Sequence, residues 1–138
     1  PEMKGFDEIS AEDKERLTLT GINTENMEGR SGSFLLVNDH VYHAGSAAEG
    51  IETLMIEQAL EKYEWLKDYF WNIVPADKDE YTKYVAERPQ RGYVIIAHKG
   101  AKATFPLQSC MFLQGDTIQA VHNIVIAEEG SEIHLIAG

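Results

Sequence analysis

The sequence contains one cysteine, few basic residues and no long hydrophobic run. A single cysteine, Cys110, cannot form an internal disulfide, which favours a reducing, intracellular location. No apolar stretch reaches the roughly 18 residues of a membrane-spanning helix, and none resembles a signal peptide. The 12 Lys and Arg against 23 Asp and Glu give 12 − 23 = −11, a charge that repels nucleic acid and anionic membranes. We therefore expect a cytoplasmic protein that binds neither nucleic acid nor membrane.

Motifs for catalysis or cofactor binding are also missing. There is no glycine-rich phosphate loop, no cysteine pair at metal-binding spacing and no nucleophile with a base nearby. Cys110 lies in an apolar stretch and is expected to behave as a small buried hydrophobe, so it is only a weak candidate for a cofactor ligand. We therefore predict no enzymatic activity, no catalytic residue and no metal ligand.

Histidines are the next candidate metal ligands in the sequence. His40 and His43 would lie together on a helix, but their surroundings do not have a helical pattern. Gly92 and His98 match the start of the cupin metal-binding pattern, but Gly100 occupies the place of the next histidine. A cupin-like metal-dependent enzyme therefore remains an alternative function.

Two other histidines, His122 and His134, are out of phase with the apolar face of their strands and are predicted to face solvent or form hydrogen bonds. Glu128 and Glu129 form a carboxylate pair that we interpret as part of an exposed turn. A small basic cluster is predicted to protect a strand edge, with a docking patch as the alternative; it comprises Arg88, Arg91, Lys99 and Lys102.

The strongest pattern is a repeat of thirty residues. Residues 94–101 align with residues 124–131, and each copy has an apolar run before its glycine, Gly100 or Gly130. Beyond each glycine, apolar and polar residues alternate with the period of two that is typical of a half-buried strand. Repeats of 20 to 50 residues indicate the stacked units of a solenoid such as a parallel β-helix, although periodicity alone also permits a β-sandwich of hairpins. Because the second copy ends at Gly138 without a cap, we expect a fragment of a longer chain.

The remaining segments have local signals of their own. Residues 1–30 are predicted to be a flexible acidic arm with a short helix after Ser10, and Asn38 and Asp39 to form a hairpin turn. Residues 31–90 are predicted to be a mainly helical region, with a helix over 53–74 and a shorter one that is capped by Asp77 or Asp79 and ends near Glu87. Residues 109–113 and 117–121 are further strand candidates. The helices are expected to cover the outer face of the repeat, with the aromatic residues of 63–71 in the core.

Four short motifs resemble the SufB/SufD family of iron–sulfur cluster assembly proteins. They are Trp65-Leu66-Lys67-Asp68-Tyr69-Phe70-Trp71, Pro89-Gln90-Arg91-Gly92-Tyr93, Pro106-Leu107-Gln108 and His122-Asn123-Ile124-Val125-Ile126-Ala127-Glu128-Glu129-Gly130-Ser131. The resemblance implies an α+β fold in which N-terminal helices pack against a right-handed parallel β-helix (a β-solenoid). Residues 91–138 would form its first coils, truncated at the C-terminus.

The resemblance also implies a function. The protein would be a scaffold subunit that works with a SufC-type ATPase and a SufB/SufD partner, and an iron–sulfur cluster would belong to the full-length complex rather than to this fragment. SufB-type sequences carry an Arg-x-Asn pair where this chain has Phe112 and Gln114, and the family's ligand candidates lie beyond Gly138. No ligand residue is therefore transferred. The open C-terminal strand stack predicts a homo-oligomer, and a non-catalytic protein-interaction module is the second alternative.

Overall fold

The structure, a computed structural model, describes residues 3–22 and 29–138. These residues form three α-helices, two 3₁₀ turns and seven strands. The helices are α1 (Ala11–Leu19), α2 (Ile56–Lys62) and α3 (Glu80–Ala86), and the 3₁₀ turns span Phe6–Glu8 and Glu64–Asp68. The strands are β1 (Gly32–Val37), β2 (His40–Ser46), β3 (Ile51–Met55), β4 (Tyr93–Ala97), β5 (Leu107–Phe112), β6 (Ile124–Ala127) and β7 (Leu135–Ala137).

The strands form two mixed sheets. The first has the order β2-β1-β5-β7 and the second the order β3-β4-β6. Each sheet contains one antiparallel pair, β1 with β2 and β3 with β4, and its other neighbours are parallel. The α+β class is therefore consistent with the structure, but the predicted right-handed parallel β-helix is wrong. The repeat accounts only for β4 and the strands after it, whereas the antiparallel partners come from residues outside it.

The two copies of the repeat are direct neighbours in the second sheet. Val94 pairs with Ile124 and Ala97 with Ala127 in a parallel register, and an isolated parallel bridge joins Lys102 to Glu132. At the corner that follows, the Gly100 amide donates to the Glu129 carbonyl oxygen over 3.0 Å. The thirty-residue spacing in the sequence is thus the offset between paired residues.

The main core lies between the two sheets. Because side chains alternate along a strand, β4 directs Tyr93, Ile95 and Ala97 into this core, where they meet Phe34 and Leu36 of β1. The rings of Phe34 and Tyr93 pack edge to face with their centroids 5.3 Å apart, a favoured aromatic geometry.

The helical segment covers the outer face of the second sheet. Ile56 and Ala59 of α2, with Leu66 of the following 3₁₀ turn, pack against Val94 and Ile96. Both faces of β4 are therefore buried, which explains its unbroken apolar sequence. This arrangement confirms that the helices cover the repeat.

The N-terminal segment covers the outer face of the first sheet. Helix α1 begins after Ser10, as predicted, and the Ser10 side chain accepts a hydrogen bond from the Asp13 amide. Leu17 of α1 is fully buried and belongs to one apolar cluster with Leu35 and Cys110. The molecule therefore has four layers, with helical segments outside two sheets.

Three segments differ from their predicted structure. The helix predicted from Thr53 begins only at Ile56, because Ile51 to Met55 pair with β4 and bury alternate side chains. After the 3₁₀ turn, residues 69–78 form turns and bends, and Trp71 has a φ of 55°. The strand predicted at 117–121 is absent apart from an isolated bridge at Val121.

Other predicted elements are confirmed. Asn38 and Asp39 connect the hairpin strands β1 and β2. Asp79 caps α3 through a capping box with Thr82. None of the helices in residues 3–22 and 29–138 is sufficiently long and apolar to span a bilayer.

Gly92 provides a test of the close contact between the repeat copies. It has a φ of 115°, and a β-carbon there would lie 2.3 Å from the His122 carbonyl oxygen. Gly92→Ala should lower the free energy of unfolding by about 3 kcal/mol, because it combines backbone strain with overpacking. Urea unfolding would measure this loss.

Gly115→Ala is the matched control. Gly115 has a φ of 71°, but an added β-carbon would meet no atom within 4 Å. Only the strain of the left-handed backbone should then lower the free energy of unfolding, by about 1–2 kcal/mol. Equal losses in the two variants would contradict close packing of the copies at Gly92.

Candidate functional site

Cys110, the candidate cofactor ligand, lies in β5 beneath the N-terminal segment. It is 7% exposed and packs in the apolar cluster that contains Leu17 and Leu35. Burial raises the pKa of its thiol, so the protonated form is favoured over the thiolate that binds metals. Across the part of the chain that the structure describes, no three His, Cys, Asp or Glu side chains form a group able to hold a metal ion.

His40 and His43 do not form a joint site. His40 is exposed, and its Nδ1 lies 2.7 Å from Asp39 Oδ1. His43 instead stacks on Phe6 with 4.4 Å between the ring centroids. Burial, with a smaller contribution from the charge of Arg30, lowers the pKa of His43. This histidine is therefore part of the packing of the N-terminal segment on β2.

His122, which was predicted to face solvent or form hydrogen bonds, is packed between aromatic rings. Its ring centroid lies 4.1 Å from that of Trp71 and 5.2 Å from that of Phe70. Burial lowers its pKa, so the neutral imidazole is favoured. His134 is exposed, in agreement with its prediction.

The densest group of interacting polar side chains is centred on Glu52 of β3. Its Oε2 lies 2.6 Å from His98 Nε2 and accepts a hydrogen bond from the Tyr63 hydroxyl over 2.5 Å. Its Oε1 accepts a hydrogen bond from Lys62 Nζ, also over 2.5 Å. We call Glu52, Lys62, Tyr63, His98 and Glu128 the Glu52 cluster.

Glu128 connects this cluster to the second copy of the repeat. Its Oε1 lies 3.8 Å from His98 Nδ1, and its Oε2 accepts a hydrogen bond from the Lys99 amide over 2.8 Å. The next pair of repeat positions also carries opposite charges: Lys99 Nζ lies 3.6 Å from Glu129 Oε2. Opposite charges thirty residues apart are thus ion pairs between parallel neighbours. Glu128 and Glu129 are exposed at the turn, as predicted, and this pairing is an additional role for them.

The Glu52 carboxylate is the most strongly perturbed acid of the cluster. Burial alone would raise its pKa, but hydrogen bonds from Lys62, Tyr63 and His98 outweigh that effect and lower the pKa from 4.5 to about 2. The pKa of Lys62 is raised, chiefly by its hydrogen bond to Glu52. A carboxylate held ionised in this way is a poor proton donor near neutral pH. The cluster is therefore suited to joining α2, β3, β4 and β6, and His98 participates in it rather than in a cupin-type ligand set.

The basic residues near the start of the repeat each have a local partner. Arg91 donates to Glu57 Oε1 over 3.0 Å, and Lys102 lies 3.4 Å from Glu132. Arg88 lies over the Tyr84 ring and donates to the Tyr84 carbonyl oxygen. These local partners support the structural interpretation over the docking patch.

Sequence reasoning missed the roles of Glu52, Lys62 and Tyr63. The available signal was the opposite charge of His98-Lys99 and Glu128-Glu129 in an otherwise apolar repeat. That signal identifies pairing between the copies, but it does not show that Glu52 joins them, because β3 lies outside the repeat.

The fold and the site define an α+β segment in which two repeat copies pair in parallel. No protein-family model matches the chain. It is 43% identical over 139 residues to an iron–sulfur cluster assembly SufBD family protein of Archaeoglobus fulgidus, covering 96% of this chain and 37% of that protein. A protein of the same name from Methanothermobacter thermautotrophicus is 43% identical over 136 residues, which are 95% of this chain and 33% of the relative.

A more distant relative also matches nearly the whole chain. The SufBD family protein PH1385 of Pyrococcus horikoshii is 27% identical over 142 residues, covering 99% of this chain and 32% of that protein. Over the matched residues, the chain belongs to the SufBD family of iron–sulfur cluster assembly proteins. It spans about a third of the length of these relatives.

Glu52→Gln tests the electrostatic role of the cluster. A folded-state pKa of about 2, below the usual 4.5, means that ionised Glu52 stabilises the fold above about pH 4.5. This contribution is lost as the pH falls from 4.5 towards 2. The difference in unfolding free energy between the native chain and Glu52→Gln should therefore be largest near pH 7 and shrink over that range, as measured by urea unfolding.

Glu64→Gln serves as the control, because Glu64 pairs with Lys67 on an exposed surface. Glu64→Gln should change the free energy of unfolding by no more than about 0.5 kcal/mol at neutral pH. If the difference in unfolding free energy between the native chain and Glu52→Gln were the same at pH 7 and pH 2, the proposed electrostatic role would be contradicted.

Proposed function

We propose that the whole protein acts in iron–sulfur cluster assembly and that this segment is a cytoplasmic structural scaffold with no catalytic activity. The observation that carries the proposal is the 43% identity over 96% of the chain to the A. fulgidus protein named for that process. Identity spread over the whole segment supports a shared architecture, and the named process is the best guide to the role of the complete chain.

The environment of Cys110 supports a scaffold rather than a ligand role for the segment. The thiol lies within an apolar cluster, and burial raises its pKa, whereas cluster iron is bound by thiolates. In our proposal the iron–sulfur cluster is the cargo of the full-length complex, and its ligands come from elsewhere in that complex. A SufC-type ATPase and a second SufB/SufD-type subunit are the proposed partners.

The full-length protein provides the test of this function. It should copurify with a coexpressed SufC-type ATPase and acquire visible absorbance when reconstituted anaerobically with iron and sulfide. Cys110→Ser should leave that absorbance unchanged, because the cargo does not bind this thiol. Failure to retain the ATPase and to acquire absorbance would contradict the function.

The metal content of the isolated chain separates this proposal from a cupin-type enzyme. The 138-residue chain should purify without stoichiometric iron, manganese or zinc. A stoichiometric metal that is lost in His98→Ala would contradict the scaffold role.

The free edges of β6 and β7 support a proposed self-association. Each of these strands ends its sheet, with its outer edge unpaired among the described residues. Ile95 of β4 is 1% exposed, but its register partner Val125 on β6 is 47% exposed. The apolar space between the sheets is thus open at this end, and unpaired strand edges favour pairing with another chain.

We expect the chain to form a dimer in which these edges from two copies pair. Light scattering at increasing concentration should show a dimer, and Val125→Lys should shift it to monomer by placing a charge in the interface. Leu19→Lys on α1, where Leu19 is 82% exposed, should leave the dimer intact. A stable monomer at high concentration would contradict the expected dimer.

A further inference from the structure

The N-terminal segment, residues 3–22, covers a row of three side chains on the outer face of the first sheet. His43 of β2 pairs in register with Leu35 of β1, which in turn pairs with Cys110 of β5. Side chains at paired positions lie on the same face of a sheet. Leu35 and Cys110 belong to the apolar cluster beneath α1, and Phe6 packs against that cluster. The segment therefore covers His43 and Cys110 together.

Few contacts hold the start of this segment on β2. The backbone amides of Lys4 and Gly5 donate to carbonyl oxygens of β2 over 3.1 and 2.7 Å. The Phe6 ring then stacks on the His43 imidazole, with 4.4 Å between the ring centroids and 21° between the planes. A contact of this size can open locally at a smaller cost in free energy than unfolding of the whole chain.

The His43 imidazole has a nitrogen without a partner. Its Nε2 is buried and forms no hydrogen bond with the described residues. A protonated imidazole has an N–H on both nitrogens and carries a positive charge. Protonation while the segment is docked would therefore place a charged donor without a partner at a buried position, which costs more free energy than the neutral ring does.

Arg30 adds a positive charge to the same contact. It precedes β1 and lines a small cavity together with Phe6 and Cys110. Burial lowers the pKa of the His43 imidazole, and the charge of Arg30 lowers it further. A guanidinium and an imidazolium in this partly desolvated contact would repel each other more strongly than they would in water.

The other titratable groups near this contact do not neutralise the ring. On the sheet, Tyr42 lies beneath the Lys4 ammonium and His40 pairs with Asp39. None of the titratable side chains of the segment forms an ion pair with the His43 imidazole; these are Lys4, Asp7, Glu8, Glu12, Asp13, Lys14, Glu15 and Arg16. A proton on His43 would thus add to the charge of Arg30 with no carboxylate of the segment to oppose it.

We propose that protonation of His43 releases the N-terminal segment from the first sheet and exposes Cys110. The open form binds the proton more tightly than the docked form, because the imidazole is then solvated and water screens its repulsion from Arg30. Since docking holds the pKa of His43 below 6.5, the segment is held most firmly above about pH 6.5 and less firmly as the pH falls below that value. The segment is thus a pH-dependent cover, separate from the proposed self-association at β6 and β7.

The reactivity of Cys110, the single cysteine of the chain, reports the release. Its rate of reaction with dithiodipyridine would be measured from pH 7.5 to pH 5.5 and divided by the rate of an unstructured cysteine peptide, which corrects for ionisation of the thiol. This ratio should rise at least about threefold over that range, because the open form becomes more populated. An unchanged ratio would overturn the proposal.

His43→Phe is the variant that tests the histidine itself. It keeps an aromatic ring against Phe6 but cannot be protonated, so the ratio should stay constant with pH. His40→Phe, which replaces an exposed histidine of the same strand, should keep the rise of the native chain. A rise that persists in His43→Phe, or one that is lost in His40→Phe, would contradict the assignment to His43.

Hydrogen exchange distinguishes local release from general unfolding in the native chain. After correction for intrinsic exchange rates, the protection of amides should fall in residues 3–22 between pH 7.5 and pH 5.5 and remain unchanged in β4. Equal loss of protection in both would mean that the whole chain unfolds, and would overturn the proposal even if His43→Phe does not fold. None of these measurements depends on cluster assembly or on the SufC-type ATPase, so failure here leaves the proposed function unaffected.

Discussion

Parallel pairing between the two repeat copies is the constraint on which the structure depends. Residues thirty positions apart become lateral neighbours, from Arg91 with Val121 to Lys102 with Glu132. Two consequences follow from this register. Apolar residues of one copy extend the apolar faces of the other, and acids of the second copy meet bases of the first. Gly92 is required because the copies approach so closely that a β-carbon would collide with the His122 backbone.

The two flanking layers bury the outer faces of the central strands. Strands β1 and β4 are buried along their whole length and must be covered on both faces. The space between the sheets buries one face of each. Helix α2 with its 3₁₀ turn covers the other face of β4, and the N-terminal segment with α1 covers that of β1. Both covering segments are short, so their stability comes from this packing rather than from helix propensity.

The perturbed side chains of the segment take part in its packing and in its hydrogen bonds. Its most perturbed carboxylate, Glu52, is fixed by hydrogen bonds to Lys62, Tyr63 and His98, which favour the ionised form. Its cysteine lies in an apolar layer where the thiol is favoured. Among the described residues, the outer edges of β6 and β7 have no strand partner. The chain spans about a third of the length of its relatives.

The sequence by itself determined the local elements and the repeat: the capped starts of α1 and α3, the hairpin at Asn38, the strands at 94–97 and 124–127, and the family. Each depends on residues close in the chain or on a regular spacing. Only the tertiary structure decided that residues 51–55 form a strand. The local sequence makes Thr53 a plausible helix cap, but the backbone of residues 51–55 pairs with β4 instead. It also decided that antiparallel partners create two mixed sheets, and that Glu52 meets His98. The β3–β4 pairing and the contact of Glu52 with His98 join residues that are 38 to 46 positions apart, and local pattern carries no information about pairing at that distance.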